Sequence, residues 1–184
     1  MRVIAGIAKG RNLAVVPGEG TRPIYDRVKT ALFDTLSSQV EGARFLDLYA
    51  GTGAVGIEAL SRGAEHATFL ELATKAVRVL RQNLQATGLA EKAEVVQRDV
   101  FKYVAANSGD QFDIIYLAPP QYQGLVPKTL AALDESGLLA DHTLVIAQQH
   151  PKESQEFPLR RLELVDKRQY GTTVLFFFEP RDGE

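Results

Sequence analysis

From residue 43 onward, apolar positions fall into two alternating patterns. Short, near-continuous apolar runs, such as Phe112-Asp113-Ile114-Ile115-Tyr116-Leu117, predict strands at 44–48, 67–71, 93–97, 112–117 and 143–148. Between them, apolar residues recur at helical spacing and predict helices at 54–62, 73–86, 99–106 and 124–135. Strands that are apolar on both faces belong in a parallel sheet flanked by helices. The rhythm breaks near the end. Residues 161–167 and 173–178 are β-rich with no helix between them, so they predict a hairpin turning near Gly171 and an antiparallel sheet edge. Upstream, 2–7 and 12–16 read as two short strands turned at Gly10, and 17–20 as a loop. A helix follows over 24–38, opened by Pro23, with Val28, Ala31, Leu32, Thr35 and Leu36 as its apolar stripe. The pattern divides the chain into an N-terminal extension, 1–40, and an α/β sheet domain, 41–184.

Composition narrows the chemistry. A chain of 184 residues, 45% hydrophobic, can bury one full core. The absence of cysteine excludes disulfides and thiolate metal sites. His66 is expected to start a strand, and His142 and His150 to flank one; they form no metal-ligand spacing. No apolar run reaches membrane-spanning length, and the short run at 3–8 is too brief for a signal-peptide core. A cytoplasmic monomer with no membrane partner and no metal is the expectation. Net charge is −2, but residues 1–30 carry Arg2, Lys9, Arg11, Arg22, Arg27 and Lys29 against Glu19 and Asp26, a local balance of +4. Such an arm either grips phosphates or is an ordinary solvated hairpin.

The most informative stretch is F-L-D-L-Y-A-G-T-G-A-V-G, residues 45–56. Gly51, Gly53 and Gly56 have the spacing of a nucleotide-cofactor turn between a strand and a helix. Asp47 at the strand end argues against a pyrophosphate there, because a carboxylate repels it. A cofactor with an ammonium group and a cationic sulfur, S-adenosylmethionine, suits the acid better than NAD does. Glu71 stands 20 residues after Gly51, where a carboxylate can hold a ribose diol, and Asp99 follows the third strand, placed for an adenine edge. Each acid taken singly also reads as a helix N-cap. The candidate cofactor set is Asp47, Tyr49, Ala50, Gly51, Thr52, Gly53, Glu71, Asp99 and Val100. The candidate reaction set is Ala118-Pro119-Pro120-Gln121-Tyr122 after the fourth strand. Its prolines leave carbonyls free to accept hydrogen bonds, and Tyr122 offers a face on which a base can stack. The same loop also reads as a rigid turn with a packed tyrosine.

Three segments carry a family resemblance: M-R-V-I-A-G with K-G-R-N-L, then T-R-P-I-Y-D-R-V-K-T-A-L-F, then A-G-T-G-A-V-G-I-E-A-L-S-R-G-A. With them the chain resembles, from Met1 to about Pro180, the RsmD family of bacterial methyltransferases. The resemblance implies a Rossmann-like, seven-stranded class I methyltransferase sheet with an N-terminal hairpin extension. It also implies S-adenosylmethionine as donor and a guanine amine of 16S ribosomal RNA, in an assembling 30S subunit, as target. Arg2, Lys9, Arg11, Arg22 and Arg27 would then contact RNA, and Asp26 and Arg27 would border the cofactor or pair with surface charges. One position departs from the family pattern of Asp/Asn-Pro-Pro-aromatic. Ala118 stands first, and Gln121 displaces the aromatic to Tyr122. Alanine cannot accept a hydrogen bond from the target amine. Backbone carbonyls near Pro119 and the Gln121 amide are the substitutes at hand. The departure leaves three alternatives open: another RNA base, a small-molecule substrate, or a catalytically weakened RNA-binding assembly factor. An NAD-dependent oxidoreductase is a further alternative, set against Asp47.

Overall fold

Five parallel strands, β1 (Arg44–Leu48), β2 (His66–Leu70), β3 (Ala93–Val96), β4 (Phe112–Leu117) and β5 (Leu139–Gln149), share one sheet with two antiparallel strands, β6 (Leu162–Tyr170) and β7 (Thr173–Pro180). The order is β3-β2-β1-β4-β5-β7-β6. This computed structural model describes residues 1–18, 24–107 and 109–182. Among the described residues five α-helices cover the sheet: α1 (Asp26–Leu36), α2 (Ala54–Ser61), α3 (Thr74–Thr87), α4 (Val100–Ala106) and α5 (Leu125–Asp134). One core face gathers residues of α1, α2, α3 and the N-terminal arm, and the other gathers α4 and α5. Strands covered on both sides need apolar residues on both sides. That is why Phe45, Leu46 and Leu48 are all wholly buried. The order reverses between β1 and β4, and a ligand crevice in such a sheet lies at the carboxyl ends of strands at this reversal.

The arm differs from the sequence-based expectation. Its two predicted strands reduce to one antiparallel bridge, Arg2 to Asn12, with turns between. Backbone N–H groups that a ladder would use are bound elsewhere. Ile4 and Ala5 donate to the Glu58 carboxylate at 2.9 and 3.0 Å, and Ala8 donates to Ser61 Oγ at 3.0 Å. Ile7 donates to the Ser61 carbonyl at 2.8 Å. The arm thus lies on α2 as well as on itself, where Val3 N donates to the Arg11 carbonyl at 2.9 Å and Leu13 N to the Met1 carbonyl at 2.8 Å. Gly6, at φ 84°, makes this possible: a Cβ there would stand 1.8 Å from the Ser61 carbonyl oxygen.

Lys29 is a second correction. It lies wholly buried, with Nζ donating to the Arg2 carbonyl at 2.7 Å and 3.4 Å from Glu58 Oε2. Burial holds its pKa below the ordinary lysine value, against the opposing pull of Glu58. It therefore cannot serve the basic arm. The buried stripe of α1 turns accordingly to Val28, Lys29, Leu32, Phe33 and Leu36, leaving Ala31 and Thr35 half-buried. The helix stops at Ser37, whose φ is 47°. Strand β5 also begins earlier than expected, at Leu139, so His142 sits inside it and bonds Asp113 at 2.6 Å. Pro23 and Arg22, with most of the predicted 17–20 loop's far end, lie outside the described residues.

Candidate cofactor and substrate site

The turn after β1 is shaped by packing behind it. Gly53 (φ 89°) and Gly56 lie against Leu80 and Phe69, whose atoms a Cβ would approach to 2.2 and 2.3 Å. Gly51 (φ 58°) has open space where its Cβ would stand. The three glycine N–H groups are all taken by protein acceptors. Gly51 donates to Glu71 Oε2 at 2.8 Å, Gly53 to the Ala50 carbonyl at 2.9 Å, and Gly56 to Asp47 Oδ2 at 3.0 Å. A phosphate-binding turn needs such groups free. This turn instead presents acceptors, and that suits a ligand bearing hydroxyl, amine and cationic groups.

Asp47 is only 2% exposed. One oxygen of its carboxylate accepts from Gly56 N at 3.0 Å. Burial pushes its carboxyl up to about 7, opposed by the Gly56 bond and reinforced by the Glu71 charge. Glu71, just past β2, is half-buried and accepts from both Gly51 and Ala73 (2.8 Å each). It joins the turn to the start of α3. Asp99 is the N-cap of α4 and accepts from Lys102 N at 3.0 Å, while its other oxygen has no protein partner among the described residues. Val100 is buried in the second core. Ala50 donates to the Leu70 carbonyl. Tyr49, at φ 62°, bonds Thr129 of α5 through its hydroxyl at 2.7 Å. Burial raises the pKa of that hydroxyl. The Thr52 carbonyl accepts from Asn83 of α3 at 2.9 Å.

The loop after β4 is a different kind of surface. Ala118 is half-buried against the first core and Pro119 is buried, but Pro120, Gln121 and Tyr122 are exposed. Tyr122 is 63% exposed and holds φ at 59°, a left-handed conformation that costs a non-glycine residue on the order of 1–3 kcal/mol. Glu153 holds it there: one carboxylate oxygen accepts from Tyr122 N at 2.9 Å and the other from His150 N at 3.0 Å. The His150 ring lies 5.3 Å from the Tyr122 ring, tilted by 41°. Sequence reasoning missed His150 and Glu153, because they follow β5 in a loop with no motif. It also missed Leu72, an apolar side chain 62% exposed beside Glu71. Near Ala118, Tyr116 donates its hydroxyl to Gln148 Oε1 at 2.6 Å, which places an amide at this rim.

Arg2, Lys9, Arg11 and Arg27 are exposed on the arm and α1, and Arg2 lies 3.8 Å from Asp26. Among the described residues no helix is long and apolar enough to cross a membrane.

The sheet order, the antiparallel edge and the acceptor-lined turn define the chain as a class I methyltransferase fold. The sequence profile of the family described as Conserved hypothetical protein 95 matches residues 1–179, and the chain belongs to this RsmD-like family. It is 34% identical to YlbH of Bacillus subtilis over 98% of this chain and 100% of that one. It is 38% identical to the Ribosomal RNA small subunit methyltransferase D of Escherichia coli K12, over 80% of this chain and 74% of that one. The solved structure of yhhF from Escherichia coli superposes with a TM-score of 0.87 at 32% identity, covering 98% of this chain and 97% of that one.

Proposed function

We propose that this chain transfers a methyl group from S-adenosylmethionine to the exocyclic amine of a guanine in small-subunit ribosomal RNA. The observation that carries this reading is the turn whose three glycine N–H groups are all occupied by protein acceptors. It disfavours a dinucleotide and leaves carboxylates at the ends of adjacent strands for hydroxyls and amines. Membership of a family with a relative named Ribosomal RNA small subunit methyltransferase D supports the substrate class.

When bound, S-adenosylmethionine supplies a methyl group already activated by a cationic sulfur. Glu71 would accept from the ribose hydroxyls, keeping lone pairs for Gly51 and Ala73. The free oxygen of Asp99 would face the adenine edge, and Thr52, Gly51 and Gly53 would border the methionine end. Tyr122 would stack on a base drawn from its helix or loop, which costs a few kcal/mol. Holding amine and methyl in line can contribute ~7–11 kcal/mol. Gln121, the Pro119 carbonyl and the Gln148 amide are the acceptors near Ala118 that could orient the amine. Residues 1–40 would hold RNA through Arg2, Lys9, Arg11, Arg22 and Arg27, on a support that α2 makes rigid, while residues 41–184 hold the donor. The protein would act in the cytoplasm as a monomer on the assembling 30S subunit.

Tritiated methyl transfer into undermethylated 30S subunits and naked 16S RNA, followed by nucleoside mass mapping, tests the reading. The expected product is a methylated guanine, and a deletion strain that lacks no rRNA mark would overturn the assignment. Ala118 favours one second reading, a weakened enzyme that serves as an assembly factor. Incorporation that Ala118→Asn raises several-fold would favour the weakened assembly factor, and wild-type incorporation that Ala118→Asn leaves unchanged would favour the enzyme.

A further inference from the structure

Helix α3 carries Lys75, Arg78 and Arg81 and no acidic residue in its 14 positions, on a chain of net charge −2. Lys75 lies in the first turn, where the helix dipole disfavours a cation. Arg78 and Arg81 are exposed and form no ion pair among the described residues. They line an open groove of about 630 Å³ with Thr74, Gln82, Gln85 and Gln97, floored by the buried Val77. Among the described residues no carboxylate lines it.

The groove starts beside the cofactor residues. Gln97 donates to Thr74 Oγ1 at 2.9 Å and to the Leu72 carbonyl at 3.2 Å, so its upper end abuts the segment that carries Glu71. Helix α3 also lies on the arm's side of the sheet. Asn83 of α3 accepts from Ala14 N at 2.8 Å and donates to the Ala14 carbonyl at 3.0 Å. The arm with Lys9 and Arg11 therefore ends on the helix that bears Arg78 and Arg81.

We infer that the α3 groove is a second RNA-binding surface, on a helix the arm also touches, in which Arg78 and Arg81 take phosphates. Residues three apart on a helix are neighbours about 5–6 Å apart, a spacing that two guanidinium groups can match to consecutive phosphates. The glutamine amides offer donors and acceptors for sugar hydroxyls. Contacts of this kind fix how RNA lies on the protein without reading its sequence. The inference rests on the proposal that RNA is the substrate.

The test compares wild type, Arg78→Gln/Arg81→Gln, Arg78→Glu/Arg81→Glu and a remote control, Arg160→Glu/Arg181→Glu. RNA affinity is read against salt on a 16S fragment, with adenosylhomocysteine calorimetry for the fold and methyl transfer for activity. The glutamine pair is expected to lower the salt slope by about 1.4–1.8, from two lost phosphate contacts, and to weaken RNA binding on the order of tenfold. The glutamate pair should weaken it further, with adenosylhomocysteine binding unchanged in both. The inference fails if the groove variants bind RNA like wild type, or if the control falls as far as they do. If wild type itself neither binds nor methylates RNA, the substrate proposal fails instead, and the two failures are distinguishable.

Discussion

The arm, α2 and the glycine turn form one region, and the rim after β4 and β5 forms another; the two are built on opposite terms. In the first, Lys29, Asp47, Glu58 and Ser61 are buried and bonded, while Arg2, Lys9 and Arg11 stay exposed. Glu58 alone receives Ile4 N, Ala5 N, Arg62 Nε at 2.8 Å and the Lys29 ammonium. In the second, Gln121 and Tyr122 stand in solvent, and a single carboxylate, Glu153, sets the loop. The difference teaches which ligand each region waits for. A small cofactor needs a frame made beforehand. A folded RNA brings its own bulk and needs exposed faces to rest on.

Four substitutions break or sharpen that contrast. Glu58→Ala should have the largest effect, because it leaves Lys29 buried without its carboxylate; losses of this kind run to about 3–5 kcal/mol. Urea denaturation measures it, and a midpoint equal to wild type would remove Glu58 as the hub. Glu71→Ala should weaken adenosylhomocysteine binding by roughly 10–100-fold, the equivalent of about 1.5–3 kcal/mol for a charged hydrogen-bonding group. Calorimetry reads this, and unchanged RNA affinity would keep the two regions separate. Tyr122→Ala should raise KM for RNA by the loss of about 1–3 kcal/mol of base stacking, while adenosylhomocysteine affinity stays put. A loss of cofactor affinity instead would join the two regions.

The smallest effect is one of pH. Asp47 has a folded pKa near 7, above the ordinary carboxylate value, so between pH ~4 and ~7 the folded protein binds the extra proton. Its burial therefore becomes more destabilising as pH rises through that window. From pH 5.5 to 6.5, wild type should lose on the order of 1 kcal/mol relative to Asp47→Asn, whose amide oxygen still accepts Gly56 N–H. Parallel stability profiles for the two proteins would show that Asp47 is charged throughout.

Much of the sheet could be read from the sequence because strands buried on both faces leave unbroken apolar runs. The glycine turn was equally plain, since Gly53 and Gly56 meet Leu80 and Phe69 and have no substitutes. The arm was less legible. Its alternation suggested a ladder, but the partners of the Ile4, Ala5 and Ala8 N–H groups lie more than 50 positions away on α2. Lys29 counted as surface charge although it shares the buried face of Leu32, Phe33 and Leu36. A signal did exist. Glu58 is an acid in α2, all eight of whose residues are buried, and such an acid requires a cation. Asp99 turned out to cap α4, as strand-end acids often do. His150 and Glu153 left no trace, because loop partners brought together by two different strands share no local spacing.

Asn83 is a joint between the arm and the glycine turn. A single carboxamide ties Ala14 of the arm to the Thr52 carbonyl. Whatever energy passes through that linkage must be equal in both directions. A loaded donor that steadies Thr52 would then tighten the hold on the transcript to the same degree that the transcript tightens the hold on the donor, and spent enzyme would shed both more readily.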